Sequence, residues 1–166
     1  VFIAKLNADG SWDSTNTSSA TNSNNTLTGT DSNDSLTGTD SGEIIIGLYG
    51  DDYINARAGD DSLLGGFGND TIYGGSGNDE ITGGTGIDNL YGESGHDRFF
   101  ISTGDGYDII EDFIPGEDDI YSQSTIGLRT RIYKNEHLLI YSGNDLMAGI
   151  RGGADFNLAW DANILS

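Results

Sequence analysis

The chain has 166 residues, which is enough for one domain or for one domain with a tail. Its 27 acidic and 7 basic side chains give a formal net charge of -20, with 26 glycines, one proline and no cysteine. This composition rules out disulfides and cysteine-ligated zinc, disfavours nucleic acid and anionic membranes as partners, and includes no apolar run long enough for membrane insertion.

Residues 1–28 are predicted to form an N-terminal strand followed by a linker. Val1–Trp12 combines an apolar strand pattern with a turn at Asn7–Gly10. Ser11–Thr28 is dominated by Ser, Thr and Asn, a composition that buries too little apolar surface to fold alone. Because the chain starts at Val1 with no signal peptide before it, we expect it to be a piece of a longer protein.

A nine-residue repeat runs through residues 29–100 without insertion. Seven of its eight blocks begin with glycine, and the exception is Ala56. A preceding half-block, SNNTLT, places Leu27 in the same register. The sixth position is always acidic: Asp34, Glu43, Asp52, Asp61, Asp70, Asp79, Asp88 and Asp97. The eighth is always apolar: Leu36, Ile45, Ile54, Leu63, Ile72, Ile81, Leu90 and Phe99.

Each block is predicted to contain six loop residues and a three-residue strand whose middle side chain points inward. Two blocks would form one turn of a flattened coil, with one strand on each side. Stacked turns would then bury the apolar ladder between two parallel sheets. We therefore predict an all-β fold, a right-handed parallel β-roll with a small antiparallel C-terminal cap.

The acidic positions predict a cation site. In the roll, Asp52 lies over Asp70 and Asp70 over Asp88; carboxylates about 5 Å apart repel by about 3 kcal/mol per pair at an effective dielectric of roughly 20. Such a ladder needs a counter-charge. Carboxylates and the carbonyls of glycine-rich loops form a hard, all-oxygen ligand set that suits Ca²⁺. The alternative, that the aspartates only form turns, is disfavoured by eight blocks in register.

The blocks GGFGNDTIY, GGSGNDEIT and GGTGIDNLY fit G-G-x-G-x-D-x-U-x and resemble the calcium-binding nonapeptide of repeats-in-toxin (RTX) proteins. The resemblance implies Ca²⁺ ions between stacked loops, with about four well-formed sites and up to about six or more. It implies sixth-position carboxylates and loop carbonyls as ligands: Asp34, Gly50, Asp52, Gly59, Asp61, Gly66, Gly68, Asp70, Gly75, Gly77, Asp79, Gly84, Gly86, Asp88, Gly95 and Asp97.

The first two blocks depart from this pattern. Ser32 and Ser41 stand where the fourth-position glycine is expected, and Glu43 is one methylene longer than Asp. We therefore expect incomplete Ca²⁺ occupancy at the sites that these two blocks would form.

Residues 101–166 are predicted to form the cap and an export tail. Asp108–Ser122 resembles the segment that closes the last turn in RTX proteins, which makes Asp112 and Asp119 candidate Ca²⁺ ligands; the alternative is a solvated acidic turn. Leu128–Ile150 alternates as expected for strands of an antiparallel cap that covers the open end of the roll. The terminal DANILS resembles an RTX export signal for an ABC-type exporter, and a frayed tail would have the same composition.

No residue pattern indicates catalysis, and we predict that the chain is not an enzyme. His96 and His137 lack metal-pair spacing, and neither G-x-S-x-G nor cysteine occurs. The resemblance instead implies a calcium-dependent folding and secretion module of a larger extracellular bacterial protein, exported by type I secretion.

The alternative function is binding of an acidic polysaccharide, as in the accessory modules of alginate epimerases. Tyr53, Tyr73 and Tyr91 would face outward on odd-numbered blocks, and an aromatic strip can dock sugar rings. Because the chain is acidic, Ca²⁺ bridging or the basic residues Arg129, Arg131 and Lys134 would have to contact the polymer. The alternative is that the tyrosines stack on each other as cross-strand pairs.

Overall fold

The computed structural model describes residues 17–19, 25–103, 106–122, 128–133, 137–142 and 145–151. These residues form fifteen strands in two sheets. The strands are β1 Thr17–Ser19, β2 Thr26–Thr28, β3 Ser35–Thr37, β4 Ile44–Tyr49, β5 Tyr53–Asn55, β6 Ser62–Phe67, β7 Thr71–Ser76, β8 Glu80–Thr85, β9 Asn89–Ser94, β10 Arg98–Ile101, β11 Asp108–Ile110, β12 Asp119–Ser122, β13 Leu128–Tyr133, β14 His137–Ser142 and β15 Asp145–Arg151.

The strands alternate between the two sheets, as a coil of two strands per turn requires. One sheet has the order β1-β3-β5-β7-β9-β11-β15-β14-β13 and the other has the order β12-β10-β8-β6-β4-β2. Repeat strands pair in parallel, and Ile54 lies opposite Ile72, which in turn lies opposite Leu90. The predicted parallel β-roll is confirmed.

A ladder of single apolar side chains forms the core of the roll. Every eighth-position side chain of the repeat is buried, and most have no exposed surface. Each buried side chain of this size contributes about 1.5–3 kcal/mol, and one three-residue strand supplies only one of them. Stability therefore depends on stacking many turns. No helix among the described residues is long and apolar enough to cross a membrane.

The roll is longer than the eight regular blocks predict, because each sheet contains six stacked repeat strands. β1 and β2 lie within the segment predicted as linker, and β11 and β12 follow the regular repeat. A strand in this stack needs only one inward apolar residue, which Leu27 and Ile120 supply in β2 and β12. Ser/Thr/Asn-rich composition therefore does not prevent the chain from joining the roll.

The C-terminal strands form the predicted antiparallel cap. β13, β14 and β15 are antiparallel neighbours, and β15 pairs in parallel with β11, with Asp108 opposite Ala148. The cap thus extends one of the two sheets. The predicted N-terminal strand at 1–12 and the predicted export signal DANILS at 161–166 lie outside the described residues.

Candidate metal centre

Glycines in the loops between strands take left-handed conformations, and stacked loops approach each other closely. Gly68 has a φ of 129°, a region that favours glycine. A Cβ on Gly68 would also collide with the carbonyl oxygen of Gly50, one turn earlier. Fourth-position glycine is therefore required both by conformation and by the close approach of stacked loops.

The sixth-position carboxylates form a buried ladder along both edges of the roll. From Asp52 to Asp97, one oxygen of each carboxylate accepts a hydrogen bond from the backbone N–H of the acidic residue one turn earlier. Asp70 N–H donates to Asp88 Oδ1 at 2.8 Å, and Asp61 N–H donates to Asp79 Oδ1 at 2.9 Å. Asp70, Asp79 and Asp88 have no exposed surface. This pattern holds Oδ1 in place and leaves the second oxygen free to meet another ligand.

Five of these second oxygens are buried without a hydrogen-bond partner. Leaving a buried polar atom unsatisfied costs about 1–3 kcal/mol, and more for a charged group. Five unsatisfied oxygens at the same repeat position indicate that a binding partner is missing. The atoms are Oδ2 of Asp52, Asp61, Asp70, Asp79 and Asp88.

The carboxyl groups are hard to ionise without a counter-charge. Burial is the main cause that raises the pKa of Asp61, Asp70 and Asp97 to about 7 and that of Asp79 to about 6. Hydrogen bonds from backbone amides oppose this effect. A cation at the ladder would supply the missing charge, because an opposite charge favours the ionised form.

The space and the donor set fit a hard cation. A Cβ on Gly65 would meet Asp70 Oδ2 and would lie 2.5 Å from the carbonyl oxygen of Gly83, so the glycine keeps this space open. Among the described residues, no group of three acidic, histidine or cysteine side chains converges. A cation here would take ligands from carboxylates and backbone carbonyls together, the set that Ca²⁺ accepts readily.

The first two blocks satisfy their carboxylates internally. The backbone N–H and the hydroxyl of Thr30 donate to Asp34 Oδ2 at 2.5 and 2.9 Å. The N–H of Thr39 donates to Glu43 Oε2 at 2.9 Å, and the Thr39 hydroxyl donates to Glu43 Oε1. The first two blocks therefore differ from the others at their second residue, Thr30 or Thr39, which donates to the acid of its own block. Sequence analysis considered only the sixth-position acid and the fourth-position serines.

Backbone conformation at the second position correlates with the state of the carboxylate. Thr30, Thr39 and Ile114 are not left-handed, and each donates its N–H to the acidic residue four positions later. In the five blocks with an unpartnered Oδ2, the second residue has a positive φ: Leu48, Arg57, Gly66, Gly75 and Gly84.

Two carboxylates that sequence analysis missed continue the ladder. Asp118 Oδ1 accepts the N–H of Asp97 at 3.0 Å, as sixth-position acids do elsewhere. Asp108 is 5% exposed and lies beside Asp88, and burial followed by the charge of Asp88 raises its pKa to about 9. A glycine two residues before each acid, Gly106 or Gly116, was the available signal.

The other candidate ligands, Asp112 and Asp119, each have hydrogen-bond partners within the protein. Asp112 accepts hydrogen bonds from the backbone N–H groups of Gly92 and Glu93, both at 2.9 Å. The carboxylate of Asp119 accepts from the Tyr121 hydroxyl at 3.4 Å. After burial, nearby charges that include Asp112 raise the pKa of Asp97, so Asp112 lies near the ladder. Calcium binding by Asp112 or Asp119 stays a prediction.

The three tyrosines form a row on one face of the roll. The rings of Tyr73 and Tyr91 stack with centroids 4.4 Å apart and planes 9° apart, and Tyr53 lies 5.6 Å from Tyr73 at a 47° tilt. Tyr53 is 43% exposed, whereas the other two are half-buried. The ring faces mainly contact each other, as the cross-strand alternative predicted.

The comparisons with known proteins agree with the repeat. The family model of the RTX calcium-binding nonapeptide repeat, a unit of four copies, matches residues 19–41, 37–72 and 73–110. These matches together cover more than half of the chain. No curated protein matches the chain.

The chain is similar to several solved structures, and the first of these shows a similar fold. The AlgE6R2 subunit of the Azotobacter vinelandii mannuronan C5-epimerase is 22% identical and has a TM-score of 0.53. The match covers 87% of this chain and 93% of that chain. The AlgE6R3 subunit of the same enzyme is 25% identical, with a TM-score of 0.46 and coverage of 83% and 80%. The extracellular lipase LipA from Serratia marcescens is 15% identical, with a TM-score of 0.36 and coverage of 80% and 38%.

Proposed function

The chain belongs to the RTX calcium-binding nonapeptide repeat family, and we propose that it binds several Ca²⁺ ions in its stacked loops and folds as it binds them. In this proposal it is the calcium-dependent folding and secretion module of a larger exported protein. The module itself carries no catalytic role.

The five unpartnered Oδ2 atoms carry the proposal. They recur at one repeat position, they are buried, and each belongs to a block that contains a glycine with a positive φ. Asp52, Asp61, Asp70, Asp79 and Asp88, together with the carbonyls of neighbouring loops, would hold the ions. Bound Ca²⁺ would supply positive charge and accept the oxygens that the protein leaves without donors.

Folding on binding is expected from the charge balance. At a net charge of -20, an unneutralised ladder adds self-repulsion to the conformational entropy that folding must overcome. The core supplies one apolar side chain per short strand, which offsets little of this cost. The metal-free chain is therefore expected to be largely unfolded at neutral pH.

Circular dichroism with chelator and then with millimolar Ca²⁺ tests this proposal. We expect a gain of β signal with Ca²⁺, a weaker gain in Asp79→Asn, and an unchanged response in Glu117→Gln. The control removes the same charge from an exposed side chain outside the ladder. A chelated chain that is already fully folded and equally heat-stable would contradict the proposal.

The secretion role predicts a particular affinity range. Sites built from loops bind Ca²⁺ at about 10⁻⁴–10⁻³ M in extracellular modules, compared with about 10⁻⁷–10⁻⁵ M in intracellular sensors. Such a chain would stay unfolded in the cytosol, pass through a narrow ABC-type exporter and fold outside. Because stacked turns stabilise each other, the titration should have a Hill slope above one. A midpoint below about a micromolar would indicate folding before export.

Binding of an acidic polysaccharide is the second candidate function. The exposed ring of Tyr53 continues into the half-buried pair Tyr73 and Tyr91, which gives a row of hydroxyls and ring edges on one face. Calorimetry with alginate in Ca²⁺ would compare the parent with a Tyr73→Ala/Tyr91→Ala variant. Absence of binding by the parent to any acidic polysaccharide would remove this candidate.

A further inference from the structure

One face of the roll exposes a group of apolar side chains on two neighbouring strands, β4 and β6. Among the described residues, eight large apolar side chains are exposed, and five of them lie on these two strands. Tyr49 and Phe67 are 51% and 53% exposed, and their rings stack with centroids 4.7 Å apart and planes 7° apart. We call the five side chains the apolar patch: Ile44, Leu48, Tyr49, Leu64 and Phe67.

Polar side chains border the apolar patch on both sides along the sheet. Thr26 of β2 lies opposite Ile44, and Thr85 of β8 lies opposite Phe67. The patch is therefore confined to two strands and has a polar rim. A contiguous apolar group with a polar rim is the composition of a docking surface.

The patch is too small to hold a second copy of the chain. Two strands of six residues cover about 10 Å by 20 Å, so two copies facing each other there would bury on the order of 400 Å² in total. Stable interfaces between proteins bury about 1,200 Å² or more. Two chains that each carry a net charge of -20 would also repel. A segment of the same chain needs less area, because the backbone keeps it close to the patch.

Residues 1–12 have the chemistry that such a segment needs. Their sequence, VFIAKLNADGSW, is rich in apolar side chains and ends on a tryptophan. The single lysine offsets the single aspartate, so the side chains carry no net charge. This segment is therefore not repelled by the acidic roll, and the apolar patch offers its side chains a surface away from water.

The chain also enters the roll close to the patch. Thr17 of β1 lies in register with Ser35, and Ser35 lies in register with Tyr53 of β5, so two strand spacings, about 10 Å, separate Thr17 from Tyr53. Tyr49 stands four residues before Tyr53, and Trp12 stands five residues before Thr17. Because these strands are parallel, both segments approach the sheet from the same edge. Five residues span up to about 17 Å, so Trp12 can reach Tyr49.

We propose that residues 1–12 dock on the apolar patch, with Trp12 against the rings of Tyr49 and Phe67. The other tail, residues 152–166, leaves the roll after β15, which lies four strands beyond β5 in the same sheet and is therefore farther from the patch. The inference concerns the folded roll, whichever ion stabilises it. A roll that folds without Ca²⁺ would overturn the proposed function and leave this inference to its own test.

Acrylamide quenching of Trp12 fluorescence in millimolar Ca²⁺ tests the docking. A Trp160→Phe background leaves Trp12 as the only tryptophan. We expect quenching severalfold weaker than in the same chain denatured by guanidinium, and loss of this protection in Phe67→Ser. Ile87→Ser is the matched control, because Ile87 is also an exposed apolar side chain but lies outside the patch. Trp12 that is quenched as strongly as in the denatured chain, or that stays protected in Phe67→Ser, would overturn the inference.

Two further measurements identify the other possible occupants. Protection of Trp12 that appears only where sedimentation velocity detects dimers would assign the patch to a second copy. In a Trp12→Phe background, protection of Trp160 that Phe67→Ser removes would assign it to residues 152–166. Either result would overturn the inference. If circular dichroism in Ca²⁺ shows that Phe67→Ser does not fold, Leu64→Ser replaces it, because Leu64 is already 40% exposed.

Discussion

In the absence of calcium, acid is expected to fold this chain. Asp61, Asp70 and Asp97 have folded pKa values of about 7, raised mainly by burial from a reference value of 3.8. A carboxyl with a raised folded pKa binds more protons in the folded state than in the unfolded state. Its penalty on the free energy of unfolding is therefore absent below the unfolded pKa, grows as pH rises, and is complete above the folded pKa.

The size of this effect follows from the shifts. A shift of about 3 units at about 1.4 kcal/mol per unit gives a full penalty of about 4 kcal/mol for each group, of which about 3 kcal/mol is removed between pH 8 and pH 5. The three side chains are at most 3% exposed, so solvent screens them little. Even if the contributions of the three carboxyl groups add only in part, acidification raises the free energy of unfolding by an amount comparable with the stability of a whole domain, about 5–15 kcal/mol.

Far-UV circular dichroism of the calcium-free chain from pH 8 to pH 5 measures this response. We expect β signal to appear on acidification, with a weaker pH dependence in Asp70→Asn, because the amide removes one titrating group. Glu117→Gln again serves as the exposed control. A chain that is folded at pH 8 without calcium and unfolds on acidification would refute the reasoning.

Five substitutions probe the loops by calcium titration and thermal melting. Asp79→Asn should raise the calcium midpoint and lower cooperativity far more than Asp34→Asn, because Thr30 already satisfies Asp34; equal effects would contradict the ranking. Gly68→Ala should lower the free energy of unfolding by several kcal/mol, about 3 or more, because its methyl would meet the carbonyl of Gly50. Gly116→Ala is the control and should cost less, because Gly116 also has a positive φ but nothing lies within 4 Å of its Cβ position. Equal losses of melting temperature would exclude the steric explanation. Arg57→Gly should stabilise the calcium-bound chain by about 1 kcal/mol by removing a left-handed non-glycine residue, and a lower melting temperature would argue against strain there.

The regular part of the roll was predictable because it rests on local periodicity. Ile72 and Asp70 recur with their neighbours every nine residues, so strand, core and acidic ladder follow from counting. The sequence does not specify in the same way where the stack begins. Ser18 lies in register with Leu36, and no apolar residue marks β1.

The irregular part of the site depends on contacts that spacing alone does not reveal. The insertion after Phe100 shifts Asp108 off the count, and only the pairing of β11 with β9 returns it to the ladder. The role of Thr30 could not be read from its residue type, because a threonine in a loop is equally consistent with solvent exposure. The stacking of Tyr73 on Tyr91, with ring centroids 4.4 Å apart, was one of two predicted alternatives, and glycan binding stays a proposal.

In the first seven blocks, the backbone conformation of the second residue correlates with whether the carboxylate keeps an unpartnered oxygen. Asp34 and Asp52 occupy the same repeat position, yet Thr30 donates to the first while the second keeps an unpartnered oxygen. The difference is the left-handed backbone at Leu48, four residues before Asp52, which glycine adopts easily and leucine adopts at a cost. A second-position glycine therefore does more than permit a tight turn. In its left-handed conformation, its backbone N–H does not donate to the carboxylate four residues later, and the carboxylate stays available to a cation. Leu48 and Arg57 stand where other blocks have glycine, and both keep the left-handed conformation although it strains a non-glycine residue. This arrangement is expected of loops that are organised around metal binding.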